Sequence, residues 1–551
     1  MLPPPHHHAH RDALPPAGPS LARLLCVVFL TVLAWAPGWS HAQKKASAAA
    51  SKKTSAGKAE SGAVKKNPPA AKPTATAQPP KLPTAAPPRA ERMEWKPRYY
   101  KGRSYVPVEA VAAFYGFRNF NVTGKQVSMT MNDPPIKFEA TVGEKRMRLN
   151  RMVFYFSFPI VSFSGRPAMI SSFDVSNLLD PILRPQARRD PAVLRVVVLD
   201  PAGGGVEGGI TTEHGFEKEV TLDVAKRLKP LLERAGFTVV MVREGDEAVF
   251  PLERVRLANL IRDEAVYISL RVNYSGAPNA RGIETSTLPP ASTPATFEPE
   301  TDQLDKRFFP GNISDRESMA LATLLQNNLI TGTKANDLGI KRLRVEELRG
   351  IEMPAVVCRL GFLSHKEEGP TLLRNDYRET LARSLCAGVQ RYAAFLSKNL
   401  EQRKAEDARR PLYFGKLQAT HLDSSAGIAG ERITIRVPII AAPNVVVDRT
   451  RLEVQLFVFE KVNGIELDIT VANAPKIEWL TVLPDWKGTQ TEIFQVLYER
   501  PPLSPAETLL YGRRQYYGYV ARLIYNGQLL DESADPGNLK RCLYYFTPVR
   551  P

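Results

Sequence analysis

The sequence predicts a central α/β sandwich domain, with a small α+β domain before it and an all-β, sandwich-like domain after it. Between residues 192 and 400, near-continuous apolar strands alternate with amphipathic helices, which favours helices on both faces of a largely parallel sheet. In residues 412–551, segments in which apolar and polar residues alternate are separated by the hairpin signals Asn463-Gly464 and Asn526-Gly527. Helical periodicity is nearly absent there. A chain of 551 residues is long enough for these separate cores.

Residues 1–42 have the pattern of a secretory signal peptide. Arg11 and Arg23 lie before or at the start of an apolar run from Leu24 to Ala36, and Ser40-His41-Ala42 supplies the small residues of a cleavage site. The apolar run is too short for a comfortable membrane span, so we expect no transmembrane segment after cleavage. The sequence therefore predicts an exported protein of the periplasm or cell envelope.

Residues 43–98 are rich in Ala, Lys and Pro and nearly lack large apolar side chains, which predicts a disordered linker. The formal net charge of the chain is +17, and residues 44–98 contribute much of it, with 13 Lys and Arg against 3 Glu. This charge is compatible with weak adhesion to anionic envelope polymers and equally with a solvated spacer. We expect no nucleic-acid partner, since the chain carries an export signal.

The first folded unit, residues 99–185, contains a weak internal repeat. Gly102–Val108 and Gly165–Ile170 each lead into a short helical pattern, and short alternating strands lie between them. The unit is similar to the copper amine oxidase N-terminal-like stalk domain, which recurs in bacterial envelope proteins. The resemblance implies a binding or spacer module. Copper chemistry is not expected, because no His occurs between Gln43 and Glu213.

The second unit, residues 192–400, is predicted from apolar periodicity and from its glycine and proline positions. Gly236, for example, ends a helix whose apolar residues form one broad face. A charged linker, residues 401–411, follows the unit. The predicted strands are 195–200, 237–242, 265–270, 282–285 and 354–360, and the predicted helices are 218–235, 252–262, 315–329 and 377–396.

Several short motifs occur in this second unit in a fixed order. They are Asp200-Pro201-Ala202-Gly203-Gly204-Gly205, Gly215-Phe216-Glu217-Lys218, Leu252-Glu253-Arg254 with Ala258-Asn259, Ile268-Ser269-Leu270-Arg271-Val272-Asn273, Gly282-Ile283-Glu284-Thr285, and Pro354-Ala355-Val356-Val357-Cys358-Arg359-Leu360-Gly361-Phe362-Leu363-Ser364. In this order they resemble the zinc-dependent N-acetylmuramoyl-L-alanine amidases, hydrolases that cleave between the muramyl lactyl group of peptidoglycan and L-alanine.

In that family, two His and one Glu hold zinc, and a second Glu assists proton transfer. The resemblance places the three zinc ligands at Gly203, Glu217 and Arg271, and the general base at Arg359. Glycine offers no donor atom, and the arginine guanidinium has no lone pair for a metal or a proton. We therefore predict that no catalytic residue is intact, that the hydrolase is inactive, and that no cofactor is bound. Zinc is expected only if the chain is an active amidase.

Glu217, Arg271 and Arg359 are predicted to share one cleft. Either arginine can pair with Glu217, and two arginines against one glutamate predict a net positive pocket that accepts a carboxylate from a peptide stem. The other interpretation is that the arginines only fill and neutralise a disused cleft. A relocated metal site near His214 or His365 is a third interpretation.

The predicted function is that of an exported cell-wall protein with a degenerate amidase domain. It binds peptidoglycan or stem peptides, or it regulates another envelope hydrolase. One alternative is an active zinc-dependent N-acetylmuramoyl-L-alanine amidase in peptidoglycan catabolism. The other alternative is a structural envelope spacer.

Overall fold

The computed structural model describes residues 29–31, 97–162, 167–184, 192–298, 306–398, 400–422, 430–470, 476–480, 484–487 and 490–546. Except for residues 29–31, 97 and 98, the predicted signal peptide and linker lie outside the described residues. The short strand β1 (Phe29–Thr31) pairs antiparallel with residues 453–455 of the C-terminal region.

The first unit contains short antiparallel strands and two helical segments. The helix α1 (Val108–Tyr115) ends at Gly116, whose φ of 79° lies in the left-handed region that favours glycine. A second helical segment consists of α2 (Ser172–Asp174), a π-helical turn (Val175–Leu179) and α3 (Asp180–Leu183). The strands are β2 (Arg98–Tyr100), β3 (Arg103–Pro107), β4 (Arg118–Thr123), β5 (Gln126–Asn132), β6 (Pro135–Thr141), β7 (Arg146–Leu149), β8 (Met152–Tyr155) and β9 (Met169–Ser171).

The central unit alternates strands and helices. All nine elements predicted for it are present, with ends that differ from the prediction by up to four residues. The strands are β10 (Val196–Pro201), β11 (Thr211–Thr212), β12 (Gly215–Phe216), β13 (Thr238–Met241), β14 (Ala265–Asn273), β15 (Ile283–Thr287), β16 (Asp337–Arg342) and β17 (Ala355–Phe362). The helices are α4 (Glu217–Arg234), α5 (Pro251–Asn259), α6 (Asp315–Thr333), α7 (Glu346–Gly350), α8 (Glu368–Leu373) and α9 (Asn375–Ser397).

One eleven-stranded sheet runs through both of these units, in the order β13-β10-β14-β17-β15-β16-β8-β7-β6-β5-β4. The strands β13, β10, β14 and β17 are parallel, and β15 runs antiparallel to β17. The first unit joins the sheet where Phe154 of β8 pairs with Ile340 of β16. The strands β4 to β8 of the first unit thus extend the central sheet, whereas β2, β3 and β9 form a separate three-stranded sheet.

The two faces of the central sheet belong to different hydrophobic clusters, as alternation along each strand requires. On β10, Val197 and Leu199 face one cluster, which includes buried residues of α4, α6 and α9. Val196 and Val198 face the other cluster, which includes Leu348 of α7 and residues of α5. The strands are therefore buried on both faces, in agreement with their near-continuous apolar sequences.

The C-terminal region has two five-stranded sheets and short helices. One sheet contains β18, β19, β20, β23 and β24, and the other contains β1, β21, β22, β25 and β26. The elements are α10 (Leu400–Asp407), β18 (Leu412–Phe414), β19 (Gln418–His421), β20 (Glu431–Ala441), β21 (Leu452–Val462), β22 (Glu466–Ile469), β23 (Lys476–Trp479), β24 (Thr491–Arg500), α11 (Pro505–Tyr511), β25 (Arg514–Tyr525), β26 (Gln528–Asp535) and α12 (Leu543–Phe546).

A buried polar junction connects the three regions. Arg316 of α6 donates to Asp180 of the first unit at 2.7 Å. The Tyr545 hydroxyl of α12 donates to Asp315 at 2.7 Å. A cavity of about 1250 Å³ lies between the central and C-terminal regions, next to the residues that precede β10, β14 and β17. None of the helices in the described part of the chain is long and apolar enough to cross a membrane.

Candidate functional site

The opening turn of the candidate site follows β10 and is held from behind by a buried network. Asp200 at the end of β10 is fully buried, and it pairs with Arg254 of α5. The Tyr267 hydroxyl donates to the other carboxylate oxygen at 2.5 Å. Burial, and then the charge of Asp200, raises the pKa of Tyr267 well above its usual value. Arg254 also donates to the Gly203 carbonyl at 3.0 Å, so the network fixes the turn itself.

Gly203 lies in this turn with no room for a side chain. Its φ is +73°, in the left-handed region that favours glycine. A Cβ atom at this position would lie 2.9 Å from Lys218 Cβ and 2.9 Å from the Glu207 carbonyl oxygen. The backbone here is therefore shaped for glycine, and a histidine ligand would be strained and crowded at this position.

Glu217 is the first residue of α4, and its side chain is used by the fold. The residue is 6% exposed. Its Oε2 accepts from the Ile210 backbone N–H at 2.9 Å, and its Oε1 accepts from the Val272 backbone N–H at 3.0 Å. Two backbone hydrogen bonds satisfy a buried carboxylate without a metal ion. Glu217 thus ties the loop before α4 to the end of β14.

Arg271 and Arg359 lie side by side at the carboxyl ends of β14 and β17. They are direct register partners on these parallel strands, so their side chains leave the same face of the sheet. Arg271 donates to Glu347 of α7 at 2.5 Å, and Arg359 donates to Glu284 of β15 at 3.2 Å. Neither arginine forms the expected ion pair with Glu217 among the described residues, because Arg271 is paired with Glu347 and Arg359 with Glu284.

The environment of the two arginines acts on them in different ways. Burial lowers the pKa of Arg271, but the carboxylates of Glu347, Asp200 and Glu217 outweigh burial and the pKa is raised. Burial lowers the pKa of Arg359; Glu284 opposes this effect and the charge of Arg271 adds to it. Both guanidinium groups remain cations at neutral pH, since an arginine does not deprotonate in a protein.

The charges of the cleft balance instead of leaving it positive. Lys341 of β16 also pairs with Glu284. The four cations Arg271, Arg359, Lys341 and Arg254 therefore lie near four carboxylates, those of Glu217, Glu284, Glu347 and Asp200. The expectation of a net positive pocket is wrong, because it left out the glutamates of β15 and α7.

An aromatic pair lies beside this group and includes a residue of the first unit. Phe297 is 74% exposed, and its ring centroid lies 5.0 Å from Lys341 Nζ. The Tyr155 ring of β8 packs edge-on against Phe297 at 5.9 Å. These residues were not predicted as part of the site. Pairing of β8 with β16 brings Tyr155 there, and this contact joins segments far apart in the sequence.

The donor set does not fit a zinc ion. A catalytic zinc site requires about three protein ligands. The positions given by the family resemblance provide one carboxylate, Glu217, together with a glycine and an arginine that offer no donor to a metal. His365 uses Nδ1 to accept from the backbone N–H groups of Glu367 and Glu368. Within the described ranges, no three His, Cys, Asp or Glu side chains are grouped so that they could hold a metal ion.

Comparisons with known proteins agree with the motif order. Residues 197–391 match the family profile described as N-acetylmuramoyl-L-alanine amidase. An uncharacterized cell wall amidase from Bacillus anthracis is 27% identical over 214 residues, which are 37% of this chain and 37% of the relative. The N-acetylmuramoyl-L-alanine amidase AmiC of Neisseria meningitidis is 28% identical over 221 residues, which are 36% of this chain and 52% of the relative.

A crystal structure of an N-acetylmuramoyl-L-alanine amidase from Clostridium difficile is 26% identical, covers 37% of this chain and 98% of its own, and gives a TM-score of 0.31. This chain matches 52% or less of the length of the two relatives above. The match to the family profile lies within the central unit, which carries the motifs and the candidate site. Residues 197–391 of this chain are therefore similar in sequence to the N-acetylmuramoyl-L-alanine amidase family.

Proposed function

We propose that this chain is an exported cell-wall protein whose amidase-like domain binds peptidoglycan or its stem peptides without zinc-dependent hydrolysis. The single observation that carries the proposal is the donor chemistry at the three positions that the resemblance assigns to zinc: Gly203 has no side chain, Arg271 is a cation bound to Glu347, and only Glu217 offers a carboxylate. A domain that keeps the motifs of the family but has lost its metal donors retains a cleft and loses the chemistry.

Binding of peptidoglycan is supported by the sequence similarity to amidases and by the exposed groups at the candidate site. The exposed Phe297 and the partly exposed guanidinium groups of Arg271 and Arg359 offer contacts for a sugar, a peptide and an anion. The predicted signal peptide and the basic linker are consistent with a position next to the anionic wall. A regulatory contact with another envelope hydrolase belongs to the same proposal.

An active amidase is the second candidate, because the named relatives include amidases. That function requires a zinc site that this chain would have to assemble from other donors. The two candidates differ in a simple observable, the release of peptide stems from peptidoglycan.

The test uses the full-length chain, since the first unit shares a sheet with the central unit. Purified sacculi are incubated with the protein and an excess of zinc, and both cosedimentation and release of stem peptides are measured. AmiC of Neisseria meningitidis is tested in parallel as a candidate active control. The proposal expects cosedimentation without release above the buffer blank. Release that a chelator abolishes would favour the active amidase, and absence of binding would favour the spacer.

A further inference from the structure

Arg271 and Arg359 keep guanidinium donors that the rest of the described protein does not use. Arg271 donates through Nη2 to Glu347 and through Nε to Ser269, and Arg359 donates through Nη1 to Glu284 and Ser286. Arg271 Nη1 and Arg359 Nε and Nη2 have no acceptor among the described residues, and none of the three is a fully buried atom. These donors therefore face a space that solvent or a ligand can reach.

The spacing of the two residues suits a single planar anion. Register partners on neighbouring parallel strands lie about 4.8 Å apart in the hydrogen-bonding direction, so the two side chains rise next to each other. Guanidinium groups present their N–H donors in a fixed fork that matches a carboxylate. Glu347 and Glu284 hold the two forks in place, so their orientation is set before a ligand arrives.

The neutral charge balance of the cleft defines what kind of anion it can hold. Because four carboxylates compensate the four cations of this network, there is little local excess of positive charge to attract a small inorganic anion. Binding must come from short hydrogen bonds and from further contacts of the ligand. Phe297, exposed beside Lys341, provides an apolar surface for such contacts.

We propose that Arg271 and Arg359 bind a carboxylate of a wall peptide, with the attached muramyl or peptide group packed on Phe297. The proposal deepens the proposed function and rests on it. It assigns to the two arginines a role in recognition at the positions where the family has a metal ligand and a general base. Tyr155 of β8 completes the aromatic wall, so the first unit takes part in the site.

The first test changes the ligand and leaves the protein intact. Binding of N-acetylmuramyl-L-alanyl-D-glutamate to the full-length chain is measured by calorimetry, and the same compound with both carboxylates converted to amides is the matched control. The proposal expects the diamide to bind at least tenfold more weakly. Equal binding of diacid and diamide would overturn the proposal.

The second test changes the protein. Arg359→Gln and Arg271→Gln are expected to weaken binding of the diacid at least tenfold, and to leave binding of the diamide unchanged. Arg359→Lys keeps the charge and loses the fork, so it should also weaken binding. Arg256→Gln, which removes an exposed arginine paired with Glu253 on α5, is the matched control and should bind like the wild type. Wild-type affinity in the Arg271 and Arg359 variants would overturn the proposal.

These results separate this proposal from the proposed function. If the arginine variants bind the diacid weakly and the wild type binds the diamide weakly, the carboxylate site is supported. If they bind normally while intact sacculi still cosediment, the carboxylate site is wrong and wall binding stands on other residues. If sacculi do not cosediment with the wild type, the proposed function fails first.

Discussion

Arg271 and Arg359 are direct register partners on neighbouring strands, yet they form ion pairs with two different elements, Glu347 of α7 and Glu284 of β15. Two cations side by side repel each other, and separate carboxylates on either side offset that repulsion. Together with Lys341, which also pairs with Glu284, these residues form one charge network.

Glu217 is expected to be a structural residue. Gln at this position can accept only one of the two backbone N–H groups and turns a donor toward the other, so Glu217→Gln should lower the free energy of unfolding by about 1–3 kcal/mol. Urea unfolding of the full-length chain measures the change. Glu219→Gln, an exposed residue in the same helical turn, is the control and should change stability by less than about 0.5 kcal/mol. Equal stabilities of wild type and Glu217→Gln would contradict the structural role.

Gly203 should not tolerate a side chain. Gly203→Ala combines left-handed strain of about 1–2 kcal/mol with crowding against Lys218 and Glu207, which adds about 1–3 kcal/mol. Gly464→Ala is the matched control, since its φ of +75° is similar and no atom lies within 4 Å of the added Cβ. Thermal unfolding should show a larger loss for the Gly203 variant. A smaller or equal loss would mean that the turn can relax to accept a ligand side chain.

Asp180 is expected to lock the first unit to the central unit. It accepts from Tyr115, Arg184 and Arg316, and Arg316 is nearly buried. Removal of one partner from a buried ion pair costs about 3–5 kcal/mol, so Asp180→Ala should destabilise the chain by an amount of this order. Asp376→Ala removes an exposed ion pair with Arg374 and should cost less than about 1 kcal/mol. If both variants lose the same stability in urea, the two units are not coupled through Asp180.

Asp315 is expected to make stability depend on pH. Burial raises the pKa of its carboxyl to about 7; Glu317 adds to this effect, while Arg342, Tyr545 and Asn312 oppose it. The pKa of Asp315 is higher in the folded chain than in the unfolded chain, so the folded state favours the protonated carboxyl. The stability that the protonated carboxyl contributes is fully present below about pH 4 and is lost as the pH rises through about 7.

The measurement for Asp315 compares wild type and Asp315→Asn at pH 5, 6 and 8. Tyr545 donates to Oδ2 of Asp315 and Asn312 contacts both oxygens, so an asparagine keeps one acceptor at the Oδ2 position and turns its amide nitrogen toward Asn312. Any constant cost of this change cancels when the stability difference is compared between pH values. The wild type should lose stability relative to the variant between pH 5 and pH 8, by up to a few kcal/mol. A difference that stays constant over this range would show that Asp315 does not titrate there.

The helices and strands of the central unit were predictable because the spacing of apolar residues along the sequence indicates which side chains are buried. The strands Val196–Pro201 and Ala355–Phe362 are apolar runs of the length of a strand, and α4 has one broad apolar face ended near Gly236. The strand Asp337–Arg342 was missed, since Asp337, Gly339 and Lys341 interrupt its apolar pattern. Its place in the sheet depends on neighbours that only the folded chain brings together.

Motif order predicts Gly203, Glu217, Arg271 and Arg359 as the residues of the candidate site, and this assignment stays a prediction. The partners Glu284 and Glu347 could not be predicted, because strand register and the position of α7 decide which carboxylate reaches which arginine. Tyr155 is a further case, since it reaches the cleft through pairing between strands of different units.

The most direct test of the central claim is the zinc content of the full-length chain. The protein is incubated with excess zinc at neutral pH, freed of unbound metal by gel filtration and measured by inductively coupled plasma mass spectrometry, with AmiC of Neisseria meningitidis measured in parallel. We predict well under 0.1 zinc per chain, because Gly203 and Arg271 occupy two of the three positions at which the amidase family is expected to bind zinc. About one zinc per chain, retained through gel filtration and removed by a chelator, would contradict it.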